Sequence, residues 1–381
     1  MVPMSMNKKN LTALLLLALT APLLRAQQTV LPLWPHGTPE PAQTTEPERD
    51  VTKDTDTLID GHRTARLTNV TNPTITVYAP PADKNTRTAA LVFPGGGYLR
   101  LAWTGEGIDT CDWLTSVGVT CLLVKYRVPE EGHYPANFAP LEDAQQAMRL
   151  ARAHAAEWNI NPNHIGVVGF SAGANLAVLL STHPEDHHID TTPAAHEVPH
   201  ITAEASGAIE LTGMPDARPD FAIIVYPAYL AVQPGMTTLD PVYAPNKFTP
   251  PTFLIQAEDD KTYGRNAPVY FQALAAAGVP AELHMFATGG HGFGVHPPNA
   301  PEEHWTRLAN SWLRSISMLP AYTQRTSSQT AVPRTVPTVP AAPAATPCPT
   351  TNGPTNPPGQ ASSQPGHANN PSTNSPDVPC Y

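Results

Sequence analysis

The sequence predicts an α/β protein with a mostly parallel central sheet and helices on both faces. Three features point that way. Short apolar runs rich in Val, Ile, Leu and Phe recur through the middle of the chain, each bounded by turn residues, as strands buried on both faces require. Segments of helical periodicity lie between them, most clearly at Leu141–Trp158. Strands that alternate with helices are joined by right-handed crossovers, and such crossovers make neighbouring strands parallel.

In chain order, strands are expected at Ala89–Pro94, Val119–Arg127, His164–Phe170, Phe221–Pro227, Thr252–Ala257 and Ala281–Phe286. Leu141–Trp158 carries Leu141, Ala144, Ala147, Met148, Ala151 and Ala155 on one helical face. Gly173–Ser181, Arg265–Ala277 and Glu302–Ser315 are the other expected helices. Residues 184–218 break the rhythm and are expected to form an insertion above the sheet. Residues 27 to 60 read as an irregular lead-in, and no internal repeat is visible.

The chain has 381 residues, 41% of them hydrophobic, enough for a substantial core. A formal charge of −10 excludes a nucleic-acid partner, which would need a basic face. At the N-terminus, Lys8 and Lys9 precede an apolar stretch from Leu11 to Leu24, the layout of a secretory signal cleaved after Ala26. That stretch is shorter than the roughly 20 residues a membrane span needs, so no stable membrane association is expected. The expected location is secreted or periplasmic. Residues 320–381 hold only Arg325, Arg334 and Asp377 as charged side chains and are dense in Pro, Thr and Ser, a composition expected to stay disordered. The catalytic domain is thus placed at 27–319. Of four cysteines, an oxidising compartment would permit Cys348 to pair with Cys380 and Cys111 with Cys121, but Cys111 and Cys121 are expected to be simply small core residues.

Gly169-Phe170-Ser171-Ala172-Gly173 fits G-x-S-x-G between an expected strand and an expected helix. That context points to the nucleophile turn of the α/β-hydrolase fold, with Gly169 and Gly173 supplying room and the helix N-terminus favouring developing negative charge. A serine hydroxyl needs a base to take its proton. In this fold an acid and then a histidine follow the serine in the chain. Asp260 follows the strand Thr252–Ala257, and His291 follows the next strand within Gly289–Gly294. Asp259 and Glu258 are neighbouring rivals for the acid. Activity is expected to fall as His291 protonates, because the base must be neutral.

Pro94-Gly95-Gly96-Gly97-Tyr98 follows the first expected strand, where an oxyanion loop belongs. Gly96, Gly97 and Ala172 are the expected N–H donors. His183, His187, His188, His196 and His200 are bunched, but three prolines interrupt them and their spacing fits no ligand set, so a solvated loop is expected and no metal. No cofactor is expected either. Tyr98 and Trp103 are candidates for stacking on a substrate ring.

The sequence resembles the α/β-hydrolases related to bifunctional acetyl-xylan and feruloyl esterases, the BD-FAE-like carboxylesterases. The likeness rests on Leu33-Trp34-Pro35, Pro94–Tyr98, Glu106-Gly107, Lys125-Tyr126-Arg127, Tyr134-Pro135, Asp143-Ala144-Gln145, Asn159–Ala177, Arg218–Phe221, Glu258–Lys261 and Gly289–Gly294. It implies a carboxylesterase acting on acetylated sugars or plant-wall esters without metal or cofactor, and it favours Asp260 as the acid. Small-molecule or oligosaccharide esters are the implied partners. Ala174-Asn175 follow Gly173 where the group often has Gly-His. Two other functions compete. A prolyl-oligopeptidase-like peptidase or amidase would share the fold but usually carries a propeller, and no blade-length repeat is visible. A non-catalytic wall-associated binding module would need no intact triad.

Overall fold

The structure is a computed structural model that describes residues 28–39, 44–56, 58, 63–129, 139–185, 215–232, 235–295 and 301–321. The expected signal segment, nearly all of the insertion and nearly all of the tail lie outside these residues. So do Tyr134-Pro135, Cys348, Cys380, His187, His188, His196 and His200.

The strands in chain order are β1 (Thr29–Pro32), β2 (Arg49–Asp50), β3 (Arg66–Thr68), β4 (Thr74–Tyr78), β5 (Ala89–Phe93), β6 (Leu101–Ala102), β7 (Thr120–Lys125), β8 (Ile165–Phe170), β9 (Ala222–Val225), β10 (Thr252–Ala257) and β11 (Ala281–Phe286). Eight of them form the main sheet in the order β1-β4-β7-β5-β8-β9-β10-β11. From β7 to β11 every pairing is parallel, and only β4 runs against its neighbours. β2, β3 and β6 make a small second sheet.

All six expected strands form, each within its expected run. The lead-in is less irregular than expected. β1 pairs with β4, and Trp34 Nε1 donates to Asp143 Oδ1 at 2.7 Å. These short segments were illegible because edge pairing gives them structure, not an apolar pattern of their own.

Alternation along each strand splits the core into two layers. Leu91, Leu122, Val167, Ile224 and Leu254 face one side, against helices α2 (Ala139–Ala153), α3 (Ala172–Thr182) and α4 (Asn266–Ala276). Val92, Leu123, Val168, Ile223 and Phe253 face the other, against α1 (Asp109–Ser116) and α5 (Trp305–Ser315). The α2 residues Leu141, Ala144, Ala147, Met148 and Ala151 are all buried, as their spacing predicts. The chain continues in helical turns to Trp158, where Asn159 adopts φ 54° and the Ile160 N–H bonds Ala155 O at 2.8 Å. This closure gives the helix C-terminus a left-handed cap.

One cysteine expectation is overturned. Cys111 on α1 and Cys121 on β7 form a disulfide. Because α1 packs directly on β7, the two Cα atoms lie 5.1 Å apart, within bonding range. Both residues are also fully buried, so core packing and cross-linking coincide. No helix among the described residues is long and apolar enough to cross a membrane.

Candidate active site

The C-terminal ends of β5, β8, β10 and β11 carry the glycine loop, Ser171, Asp260 and His291 respectively. Parallel sheets of this kind place their chemistry at that edge. Ser171 joins β8 to α3 with φ 53° and ψ −116°, a backbone conformation that costs a non-glycine residue energy and is retained where geometry demands it. Its N–H bonds Val225 O at 3.1 Å, which fixes the turn to the neighbouring strand. A Cβ at Gly173 would lie 2.0 Å from Phe93 O, so no larger residue fits where the turn presses on β5.

Ser171 Oγ lies 2.7 Å from His291 Nε2, and His291 Nδ1 lies 2.7 Å from Asp260 Oδ2. The Asp260 side chain is 2% exposed and His291 is 29% exposed, so the acid is sealed while the imidazole stays reachable. The backbone N–H groups of Thr262 and Tyr263 donate to Asp260 Oδ1 at 3.1 and 2.9 Å. Gln256 Nε2 donates to Oδ2 at 3.2 Å. The rival Asp259 points elsewhere and accepts the Gly290 N–H at 2.7 Å, supporting the histidine loop through its backbone. Glu258 contributes only a backbone bond, from its N–H to Phe286 O at 2.7 Å.

The glycine loop lies against the serine. A Cβ on Gly95 would sit 2.8 Å from Ser171 Cβ and 2.6 Å from Phe170 O. The expected donors Gly96 and Gly97 follow with φ +131° and +69°, and Ala172 opens α3. Among the described residues, no hydrogen bond engages the N–H of Gly96, Gly97 or Ala172. The Gly95 N–H is occupied, donating to Glu106 Oε2 at 2.6 Å.

Sequence reasoning attached no role to that glutamate. Glu106 is buried in a π-helical turn, Trp103–Ile108, and its Oε1 accepts the Tyr226 hydroxyl proton at 2.9 Å. Burial pushes its carboxyl above the usual range, against the opposing pull of the Gly95 N–H and Tyr226 O–H. Tyr226 is fully buried and its hydroxyl is pushed well above ordinary tyrosine, first by burial and then by Glu106. The rings of Tyr226 and Tyr263 pack on His291 at 5.2 and 4.9 Å between centroids.

The two stacking candidates fare differently. Tyr98 is buried, with its hydroxyl donating to Asn175 Oδ1 at 2.8 Å, so it packs under the loop instead of offering a face. Trp103 is half-buried. Asn175, standing where the similar group often has His, serves as that tyrosine's acceptor and is fully buried. Among the described residues no cluster of His, Cys, Asp or Glu is arranged to hold a metal ion.

A family model for BD-FAE matches residues 75–272, just over half the chain, taking in the glycine loop, Ser171 and Asp260. The chain belongs to the BD-FAE family. Its relatives include an acetylxylan esterase of Xylanibacter ruminicola, 30% identical over 229 residues, which are 58% of this chain and 44% of that protein. The chain therefore spans less than half the length of that relative. The carboxylesterase NlhH of Mycobacterium tuberculosis is 30% identical over 248 residues, covering 61% of this chain and 74% of that one. Among solved structures, an acetyl ester-xyloside bifunctional hydrolase from Caldicellulosiruptor lactoaceticus aligns with a TM-score of 0.54 at 29% identity. That alignment covers 76% of this chain and 97% of the other. This BD-FAE member is thus an α/β-hydrolase related to carboxylesterases.

Proposed function

We propose that this protein is an exported serine carboxylesterase that removes acetyl groups, and feruloyl groups where they fit, from sugars or hemicellulose. The observation that carries the reading is the relay from Ser171 Oγ through His291 to Asp260, with both contacts at 2.7 Å. The acetyl-sugar assignment draws support from the names of two relatives, an acetylxylan esterase and an acetyl ester-xyloside hydrolase. Export draws support from the signal-like N-terminus and from the Cys111–Cys121 disulfide, since such bonds persist in oxidising compartments.

In this reading the ester is cleaved in two half-reactions, supported by the contacts among Ser171, His291 and Asp260. His291 Nε2 takes the Ser171 proton as Oγ attacks the ester carbonyl, and Asp260 holds the imidazole in the tautomer that leaves Nε2 free to accept. The tetrahedral oxyanion is received by the N–H groups of Gly96, Gly97 and Ala172. Collapse breaks the C–O bond to the sugar, and His291 returns its proton to the leaving alkoxide. Water, deprotonated by the same imidazole, then attacks the acyl-serine and releases the carboxylic acid.

The decisive test measures acetate released from acetylated xylan by the purified chain and by Ser171→Ala, with a feruloyl ester and a small peptide alongside. Ser171→Ala is expected to lower kcat by about 10⁶-fold, the scale seen when a triad serine is removed. Acetate release that survives the substitution refutes the acyl-enzyme on Ser171. Peptide cleavage as fast as acetyl release would favour the amidase reading.

A further inference from the structure

A chain of three hydrogen bonds runs behind the candidate site and joins two loops that the reaction needs held together. The Gly294 N–H donates to Tyr226 Oη at 3.0 Å, the Tyr226 O–H donates to Glu106 Oε1 at 2.9 Å, and the Gly95 N–H donates to Glu106 Oε2 at 2.6 Å. The direction of every bond is fixed. A backbone N–H can only donate, so Tyr226 Oη accepts from Gly294 while its O–H donates to Glu106, and an ionised Glu106 accepts at both oxygens. At one end of the chain lies the loop of Gly96 and Gly97. At the other lies the loop that carries His291.

The sequence around Glu106 is shaped for this contact. The π-helical turn Trp103–Ile108 sets Glu106 between two glycines. The histidine loop comes close to this turn, where a Cβ on Gly294 would lie 3.3 Å from Gly105 O. Gly107 faces Pro94 at the start of the glycine loop, where its own Cβ would meet Pro94 Cγ at 3.4 Å and Leu123 Cδ1 at 3.1 Å. Single π-turns inside helices occur preferentially at functional positions. The Tyr226 backbone adds a second sign, with φ 35° at a bulky, fully buried residue.

Energetics argue that the carboxylate is there for the groups it holds. Glu106 is 7% exposed and makes no ion pair with a cation among the described residues. A buried carboxylate without a salt bridge is costly, and this one is kept by two donors, the Gly95 N–H and the Tyr226 O–H, which an apolar residue would leave unpaired. His291 is among the groups whose charge bears on Glu106. The Tyr226 ring, whose hydroxyl Glu106 holds, packs on the imidazole at 5.2 Å between centroids, so the same contact also supports His291.

We propose that Glu106 is a positioning residue: with Tyr226 it braces the oxyanion loop against the His291 loop. The proposal rests on the reading of Ser171 and His291 as nucleophile and base. Glu106 touches no reacting atom, so its removal should act on the chemical step and leave ground-state binding alone.

The test compares the purified chain with Glu106→Gln, Tyr226→Phe and the double variant, measuring kcat and KM on an aryl acetate together with Tm. Reaction with a fluorophosphonate counts intact serines, and Ser171→Ala is the reference. In Glu106→Gln, kcat is expected to fall roughly 10- to 100-fold, the size of effect that follows from small misplacement of a reacting group, while KM stays within about twofold. Its Tm is expected to fall modestly, since the Gln NH2 faces one of the two donors, so the brace is read from kcat at constant KM in the folded protein. The double variant should be no slower than the slower single one, because both substitutions break one chain. A kcat within about twofold of the parent in Glu106→Gln, or losses that multiply in the double variant, overturns the proposal. Should Glu106→Gln fail to fold, Tyr226→Phe decides alone: lowered kcat at constant KM upholds the brace, and unchanged kcat ends it. Turnover that survives Ser171→Ala brings down the serine reading and the brace with it. Turnover lost there but intact in Glu106→Gln removes only the brace.

Discussion

Asp260 and Glu106 are two buried carboxylates bearing on the same histidine loop from different sides. Asp260 bonds the imidazole itself at 2.7 Å, whereas Glu106 reaches that loop only through Tyr226 and the Gly294 N–H. Asp260 gathers three further donors, from Gln256, Thr262 and Tyr263, while Glu106 has two in all. The contrast teaches that burial and negative charge do not define a role here. What the acceptor oxygens hold defines it: a side chain that must change protonation in one case, backbone that must stay still in the other.

The largest effect expected from breaking this comparison lies at Asp260. Asp260→Asn keeps the shape but turns an N–H toward His291 Nδ1 or toward the Thr262 and Tyr263 donors. Either outcome favours the wrong imidazole tautomer, and kcat is expected to fall about 10⁴-fold with the fold intact. Steady-state kinetics beside a circular-dichroism melt check this. A loss below about tenfold would mean that His291 is oriented by something else.

Next in size is Gly95→Ala, aimed at the other end of the comparison. The added methyl would meet Phe170 O at 2.6 Å, Glu106 Oε2 at 2.8 Å and Ser171 Cβ at 2.8 Å. Backbone on one side and the nucleophile on another leave no direction of relief, so the loop itself must shift. The expected result is a kcat loss of roughly 10²–10³, like that of a missing oxyanion donor, together with a lower Tm. Full activity in a folded Gly95→Ala protein would show that the loop does not set the oxyanion contacts.

How legible each carboxylate was follows from the same contrast. Strand runs, the G-x-S-x-G turn and the chain order of acid and base are local or ordered signals, so Ser171, Asp260 and His291 could be singled out from residues alone. The structure brings those three together. Glu106 entered only through the Glu106-Gly107 likeness, with no role attached to it. Its partner Tyr226 is 120 residues away, and its π-turn has no periodic signature, so only packing reveals the link. The Cys111–Cys121 disulfide, permitted by the sequence but not favoured, was passed over for a similar reason. Ten residues separate Cys111 from Cys121, and nothing in that spacing shows that α1 lies over β7. β1 and β4 were missed because their pairing with each other and with β7, not an apolar run, makes them strands. The Gly96, Gly97 and Ala172 assignments came from motif position, and the packing of Gly95 on Ser171 supports their placement.

The smallest expected effect is at Asp259, and it sharpens the choice between adjacent acids. Among the described residues its carboxylate accepts the Gly290 N–H at 2.7 Å, one residue before the histidine. Asp259→Asn retains a carbonyl oxygen able to accept that bond, so kcat should stay within about threefold of the parent. Asp259→Ala removes the acceptor from an exposed site where water substitutes for it. The net worth of such a bond is about 0.5–1.5 kcal/mol, which bounds the loss at roughly 2- to 12-fold. The two variants therefore form a graded pair set against the much steeper loss at Asp260. If Asp259→Asn instead fell by thousands, the histidine would take its orientation from Asp259 in solution, and the relay would have to be redrawn through the neighbouring residue. Kinetics on all three variants, run with one substrate, decide between these arrangements.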